Sequence, residues 1–294
     1  MSKEFLKRYD DLKMLLEEKY DMKSALTHGG KFHADDVFCS ALLKIIFPEI
    51  EIIRANEVPE DYKGIVFDVG MGAFDHHQME KELRSDNVAY AAFGLLWREY
   101  GSFFLGEQAE EFDRRFIEPL DQCDNFGTKS ELADIIGDFN PGWDSFKDKE
   151  ECFCEAVTFA IRILENKFEY YRGEEKAQKM MLSRMQDGDG TILVLDRFIP
   201  WKRALINSDY KFVIYPSQRG GFNAQGVPVS EDTNNLKCGF PAEWRGLEAE
   251  KLQEVTGLET LRFCHTSGFL LAGDSRTQLR KACELALEQQ EMNN

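Results

Sequence analysis

The chain contains no apolar run approaching the ~20 residues that a bilayer-spanning helix requires. Its start, Met1-Ser2-Lys3-Glu4-Phe5-Leu6-Lys7, lacks the apolar centre of a secretory signal. A soluble, cytoplasmic protein is expected. Paired cysteines are missing too: the seven present are odd in number and scattered, none of them in a Cys-x-x-Cys arrangement. That removes the usual signals for structural zinc or dithiol exchange and leaves reduced packing residues. Positive charge is also short. Lys and Arg total 36 against 53 Asp and Glu, a formal net charge of −17, which excludes a broad basic face for duplex nucleic acid. An anionic substrate held through metal ions remains open, because carboxylates used as ligands are neutralised once cations bind.

Histidine is the scarcity that informs most. There are five, and four of them fall in two short blocks, His28 with His33 and His76 with His77, while His265 stands apart. Imidazoles do not pack as aliphatics do, and when buried they need partners. Two clustered pairs with acidic neighbours therefore point to a metal, a proton or water.

The 294 residues, 43% of them hydrophobic, can build two ordinary cores. Residues 1–20 carry Phe5, Leu6, Tyr9, Leu12, Leu15 and Leu16 at helical spacing, which predicts an amphipathic packing helix. Ser24 to Thr27 reads as a strand, and the loop His28 to Asp36 enters a helix that Pro48 ends. Glu51 to Arg54 and Gly64 to Val69 read as strands, the latter ending near Asp68, followed by a turn and Asp75-His76-His77. Ligands in open α/β sheets bind at such carboxyl ends. A helix is predicted from Val88 to Tyr100, closed by Gly101, and another from about Glu107 that delivers Asp121-Gln122-Cys123-Asp124-Asn125. Residues 149–186 read as helix, and Gln186-Asp187-Gly188-Asp189-Gly190 as the linker, giving domains 1–186 and 187–294. Strands at Thr191–Leu195, Lys211–Tyr215 and Leu261–Cys264 precede a final helix from Ser275.

His28, His33, Asp35, Asp68, Asp75, His76, His77 and Asp124 together offer nitrogen and oxygen donors without thiolate. That set suits manganese, iron, cobalt or zinc, and it is large enough for two ions about 3.5–4 Å apart. In the second half, His265, Gly268, Gly273, Ser275 and Arg276 lie ahead of the last helix, where glycine and a helix N-terminus suit an anion. The basic residues Lys202, Arg203, Arg219 and Arg245 lie near Trp201, Phe222 and Trp244 in sequence, but aromatics in a domain of this size are usually core.

The blocks Thr27-His28-Gly29-Gly30-Lys31-Phe32-His33-Ala34-Asp35, Phe67-Asp68-Val69-Gly70, Asp75-His76-His77-Gln78 and Asp121-Gln122-Cys123-Asp124-Asn125 resemble the MYG1 (UPF0160) family within the DHH phosphoesterase superfamily. The resemblance continues through Pro200-Trp201-Lys202, Trp244-Arg245-Gly246-Leu247 and His265-Thr266-Ser267-Gly268-Phe269. It implies an α/β fold: an αβα sandwich with a mainly parallel sheet, then a smaller C-terminal mixed α/β domain that grips substrate. By position it implies one ion on His28, His33 and Asp68 and a second on Asp35, Asp68, His76 and Asp124, with Mn2+ favoured and Asp68 shared. His77 would act at the scissile phosphate and Asp75 would orient a histidine. His265, Gly268, Gly273, Ser275, Arg276 and Lys202 would contact substrate. Many DHH phosphoesterases carry an aspartate where this chain has His33, a histidine the MYG1 family shares. The activity implied is 3′-to-5′ hydrolysis of single-stranded RNA or short oligonucleotides by metal-activated water. The alternatives are a phosphatase of small molecules such as pyrophosphate, or a nucleotide- or metal-binding module without catalysis.

Overall fold

The computed structural model describes residues 3–186, 188–231 and 233–293, with side chains described from Leu6 to Met292 apart from 187 and 232. The side chain of Phe5, read into the packing face of the first helix, together with Asp187 in the expected linker and Met1-Ser2, lies outside them. The chain divides into two compact units, Met1–Arg172 and Gly173–Asn294.

In the first unit, α1 (Lys3–Lys19) turns Leu12 and Leu16 into the core. Three parallel strands follow: β1 (Ser24–Thr27), β2 (Glu51–Arg54) and β3 (Ile65–Val66), in the order β2-β1-β3. The crossover from β1 to β2 is α2 (Ala34–Ile46), apolar enough to be buried along most of its length. Because the chain leaves β1 to one side for β2 and returns to its other side for β3, the strand order reverses between β1 and β3. The loops at their carboxyl ends therefore part and leave a crevice. Both histidine blocks emerge there.

Two sequence expectations are corrected. Strand β3 stops at Val66 and does not run to Val69, because Asp68 adopts a left-handed backbone (φ +56°) that no strand accommodates. The helix expected over Val88–Tyr100 is α3, Ala92–Leu105, and Gly101 lies inside it. That glycine does not stop the helix. It makes room for Trp97, since a Cβ there would sit 2.4 Å from the indole. Gly106, with positive φ, ends the helix instead.

A short α4 (Ala109–Phe112) passes through a π-helical turn, Asp113–Ile117, into α5 (Glu118–Phe126). Pro119 lacks an N–H, and its ring would press on the carbonyl four residues earlier in a regular helix, so the wider turn relieves it. Gly127, left-handed, caps α5 through its N–H to Cys123 O. After α6 (Glu131–Gly137), the 38-residue α7 (Lys149–Gln186) contributes Ala156, Val157, Leu164 and Phe168 to the first core and Ala177 and Met181 to one in the second unit.

The second unit is a five-stranded mixed sheet ordered β4-β5-β6-β8-β7, built from β4 (Ile192–Val194), β5 (Phe212–Pro216), β6 (Phe222–Gly226), β7 (Leu261–Cys264) and β8 (Leu270–Gly273). Helices α8 (Lys202–Ile206), α9 (Ala249–Thr256) and α10 (Arg276–Asn293) complete it. The chain is thus α/β, with a three-stranded parallel sheet in the first unit and a five-stranded mixed sheet in the second. Among the described residues no helix is long and apolar enough to cross a membrane.

Candidate metal centre

Four segments of the first unit meet at the β1/β3 crevice: the β1–α2 loop, the turn after β3, the stretch through His77, and the last turn of α5. The β1–α2 loop is braced from both ends. Arg54, at the end of β2, donates to Gly30 O at 2.8 Å and lies over the Phe153 ring. Asn140 clamps Phe32 like a neighbouring strand, accepting from its N–H at 3.1 Å and donating to its carbonyl at 2.9 Å. His33 caps α2, its backbone N–H donating to Asp36 Oδ1 at 2.9 Å, so Asp35 and Asp36 fall in the helix's first turn.

The turn after β3 is held by Asp75. Its Oδ2 accepts from Met71 N at 2.6 Å, and its Oδ1 accepts from the backbone N and the Nδ1 of His77, the latter at 2.7 Å. A bond from Asp68 N to Phe74 O closes the turn. Gly70, with positive φ, lies against Val58, and a Cβ would come within 2.6 Å of that side chain.

Ring nitrogens are oriented by their far sides. His28 Nδ1 lies 2.8 Å from Gly29 O, which can only accept, so Nδ1 carries the hydrogen and Nε2 faces Asp68 Oδ2 at 3.2 Å and Asp36 Oδ2 at 3.4 Å. His76 Nδ1 faces Asn125 Oδ1 at 3.2 Å. The amide of Asn125 is fixed because its nitrogen donates to the carbonyls of Tyr90 and Asp121, each at 3.0 Å. His76 Nε2 is thereby aimed at Asp124 Oδ2 (3.1 Å), Asp68 Oδ1 (3.2 Å) and Asp35 Oδ2 (3.6 Å).

Asp35, Asp36 and Asp68 are essentially buried. Burial drives the Asp35 carboxyl well above its ordinary range, with Asp68 and Asp124 adding repulsion. It takes Asp36 to about 7 despite His28 nearby. Asp68 is the exception: burial pushes it up, but hydrogen bonds from His28 and His76 outweigh that and hold it at about 2. His28 rises to about 9, chiefly through its bond to Asp68. For His76, burial pulls down, yet Asp124 and Asp68 carry it to about 10.

Both oxygens of Asp35 and Oδ2 of Asp36 are buried without a hydrogen-bond partner. Leaving so many polar atoms unpaired costs of order 1–3 kcal/mol each, more where charged. The donors fit divalent cations of the manganese kind, with imidazole and carboxylate and no thiolate. Among the described residues, three groups have ligand atoms within 4.8 Å of one another: Asp68, His76 and His77; His28, Asp36 and Asp68; and His33, Asp35 and Asp124. The four residues Asp35, Asp68, His76 and Asp124 meet around one ring nitrogen, and Asp68 links them to His28. His33 falls with Asp35 and Asp124, its Nδ1 3.8 Å from Asp124 Oδ1. Beside these side chains opens a cavity of about 730 Å³ bordered by Lys31, Met71, Lys81 and Asn125.

Asp36 went unremarked in the sequence because adjacent acids at a helix start are ordinary. Arg84 and Lys81 gave no signal either, and Asn125 stood in the Asp121-to-Asn125 block without a role. Arg84 is buried and pairs with Asp113 at 2.6 Å and Asp121 at 2.7 Å, so Asp121 serves α5 and Asp124 faces the centre.

Of the residues expected in the second unit, Ser275 caps α10, accepting from Gln278 N at 3.4 Å. Gly273 is paired within β8, and Gly268 makes the positive-φ turn between β7 and β8. His265 Nδ1 lies 2.8 Å from Ser267 Oγ, Arg276 pairs with Asp196 at 3.0 Å and covers Phe222, and Lys202 opens α8 exposed. Trp201 and Trp244 are core.

The family model MYG1_exonuc, described as Uncharacterised protein family (UPF0160), matches residues 24–287. The chain belongs to this family. The MYG1 protein of Chlamydia muridarum is 28% identical over 289 residues, covering 91% of this chain and 98% of that relative. The MYG1 protein of Dictyostelium discoideum is 25% identical over 304 residues, covering 86% and 92%. The Homo sapiens MYG1 exonuclease is 26% identical over 310 residues, covering 86% and 82%. Among solved structures, RecJ in complex with Mn2+ from Thermus thermophilus aligns at 11% identity with a TM-score of 0.29, covering 99% of this chain and 55% of RecJ. So slight a likeness carries no argument. The MYG1_exonuc match includes every ligand candidate of the crevice, from His28 to Asp124.

Proposed function

We propose that this chain is a metal-dependent phosphoesterase, an exonuclease that trims single-stranded RNA or short oligonucleotides from the 3′ end. The observation that carries the reading is the convergence of three carboxylates, Asp35, Asp68 and Asp124, on His76 Nε2 at the mouth of a parallel-sheet crevice. Family membership supports it, since the human member bears the name MYG1 exonuclease. Asp35, Asp68, His76 and Asp124 would hold one divalent cation, and His28, Asp68 and His33 a second, with Asp36 beside His28. Bound there, such ions neutralise the carboxylates and polarise water and phosphate oxygens.

The chain's own residues do the rest. Asp75 fixes His77 through Nδ1, leaving Nε2 of an exposed ring free to give a proton to the leaving oxygen. Asn125 and Gly29 keep His76 and His28 in the tautomers that present Nε2. In the second unit, His265, Gly268, Gly273, Ser275, Arg276 and Lys202 are the substrate contacts that the family resemblance suggests.

The test is hydrolysis of a 5′-labelled short single-stranded RNA with Mn2+, Mg2+ or chelator, beside Asp68→Ala and His77→Ala. Mn2+-dependent laddering from the 3′ end is expected. Asp68→Ala should abolish it and strip most bound metal, whereas His77→Ala should keep the metal and lose about 10²–10⁴-fold in turnover. Equal metal loss in both variants would refute the division of roles, and intact laddering in chelator would refute the metal-dependent reading.

A further inference from the structure

Asp124, Asn125 and Phe126 are consecutive on the last turn of α5, about 100° apart around the helix. Asp124 faces the carboxylate cluster and Asn125 holds His76. Phe126 turns outward with 63% of its surface exposed. Lys81 lies over it, its Nζ 5.5 Å from the ring centroid and in contact with Asn125 Oδ1. Lys81 and Asn125 also line the cavity that holds the ligand candidates, as do Lys31 and Met71, the latter 61% exposed at positive φ. In a chain of net charge −17, two lysines and two bare apolar side chains have collected around the one crevice where a phosphodiester would be cut.

We infer that Phe126 and Lys81 form a nucleobase platform at the mouth of the metal centre: the ring stacks a base of a single strand, and Lys81 contacts the adjoining phosphate. The inference rests on the proposed phosphoesterase reading and narrows its substrate to one carrying a base, which pyrophosphate does not. An exposed phenyl ring gains by covering its face, every base has a π-face to offer, and an ammonium beside it suits the phosphate one step along the strand.

The experiment is equilibrium binding, by fluorescence anisotropy, of a labelled short single-stranded RNA with cleavage-resistant phosphorothioate linkages. It is run with Mn2+ on the full chain, on Phe126→Ala and on Phe126→Tyr, together with an abasic strand of the same length. The platform predicts that Phe126→Ala weakens the RNA by roughly 5- to 150-fold, that Phe126→Tyr restores it, and that the abasic strand binds all three proteins alike. Equal affinity of wild type and Phe126→Ala for the RNA overturns the platform, as does equal weakening of RNA and abasic strand, or no RNA binding by the wild type. Because binding is read without turnover, the two ideas fail separately. Base-dependent binding without cleavage would sink the phosphoesterase and keep the platform, and cleavage with unaltered Phe126→Ala binding would do the reverse.

Discussion

Two imidazoles in the crevice are oriented by single bonds on the side away from the cluster, and that arrangement sets a pH dependence. His28 and His76 are pushed up to about 9 and about 10 by the carboxylates they face, so in the metal-free chain both are protonated at neutral pH. Groups raised in this way lend stability that is complete below their unfolded value of about 6.5 and lost as pH climbs through the folded values. A cation needs the deprotonated ring, so each histidine that joins it sheds a proton. Mn2+ affinity should therefore rise from about pH 6 to about pH 9. Calorimetric titration at neutral pH in buffers of differing ionisation heat should show at least about two protons released per chain, from His28 and His76, with the raised Asp35 and Asp36 carboxyls adding to them, and buffer-independent heats would contradict it. The histidine blocks and Asp68 were legible because so few histidines exist and they stand beside acids at strand ends. Asp36, Lys81 and the role of Asn125 were not, since their importance comes from what the fold brings to them.

At the level of elements, the βαβ start and α7 were readable from apolar runs and helical periodicity. Strands β6 (Phe-Asn-Ala-Gln-Gly) and β8 (Leu-Leu-Ala-Gly) were not: neither carries a β-branched residue, β6 alternates over only four residues and β8 does not alternate. They are strands because each is paired on both sides, a case of context overriding propensity. Helix α3 shows the same override through its glycines. Gly94→Ala should gain about 1 kcal/mol of helix propensity. Its Cβ, however, would fall 1.9 Å from Asp121 Oδ2 and 2.7 Å from Arg84 Nη2, and disrupting a buried pair costs about 3–5 kcal/mol. The clash wins, and a net loss of about 2–4 kcal/mol is expected in thermal or urea unfolding. An unchanged or raised Tm would show that α5 yields freely.

For the molecule as a whole, the net charge of −17 repels a polyanion at long range while a few local cations attract it. Salt screens the repulsion within a Debye length of ~10 Å at 0.1 M and weakens the phosphate contacts at the same time. With two lysines at the crevice, the logarithm of RNA affinity should fall with the logarithm of salt at a slope of about −1.4 or shallower. A slope several times steeper would mean that a larger basic surface takes part. Composition argues against a broad basic face. It gave no hint that Lys31 and Lys81, fifty residues apart in sequence, share one cavity.

The π-helical turn ahead of α5 acts as a phase adjuster. Such a turn holds one residue more than a regular helix would over the same span, so the helix beyond it keeps its facing. Removing one residue from 113–117 together with Pro119→Ala should straighten the segment and leave Asp124 pointing into the crevice. Removing one from 120–123 should swing Asp124 by about 100° and empty the centre. Metal analysis of the two deletions would tell them apart, and equal metal loss in both would show that the turn sets more than phase. A chain with this turn can tolerate length change at one spot in the helix that its acid ligand cannot survive a few residues on.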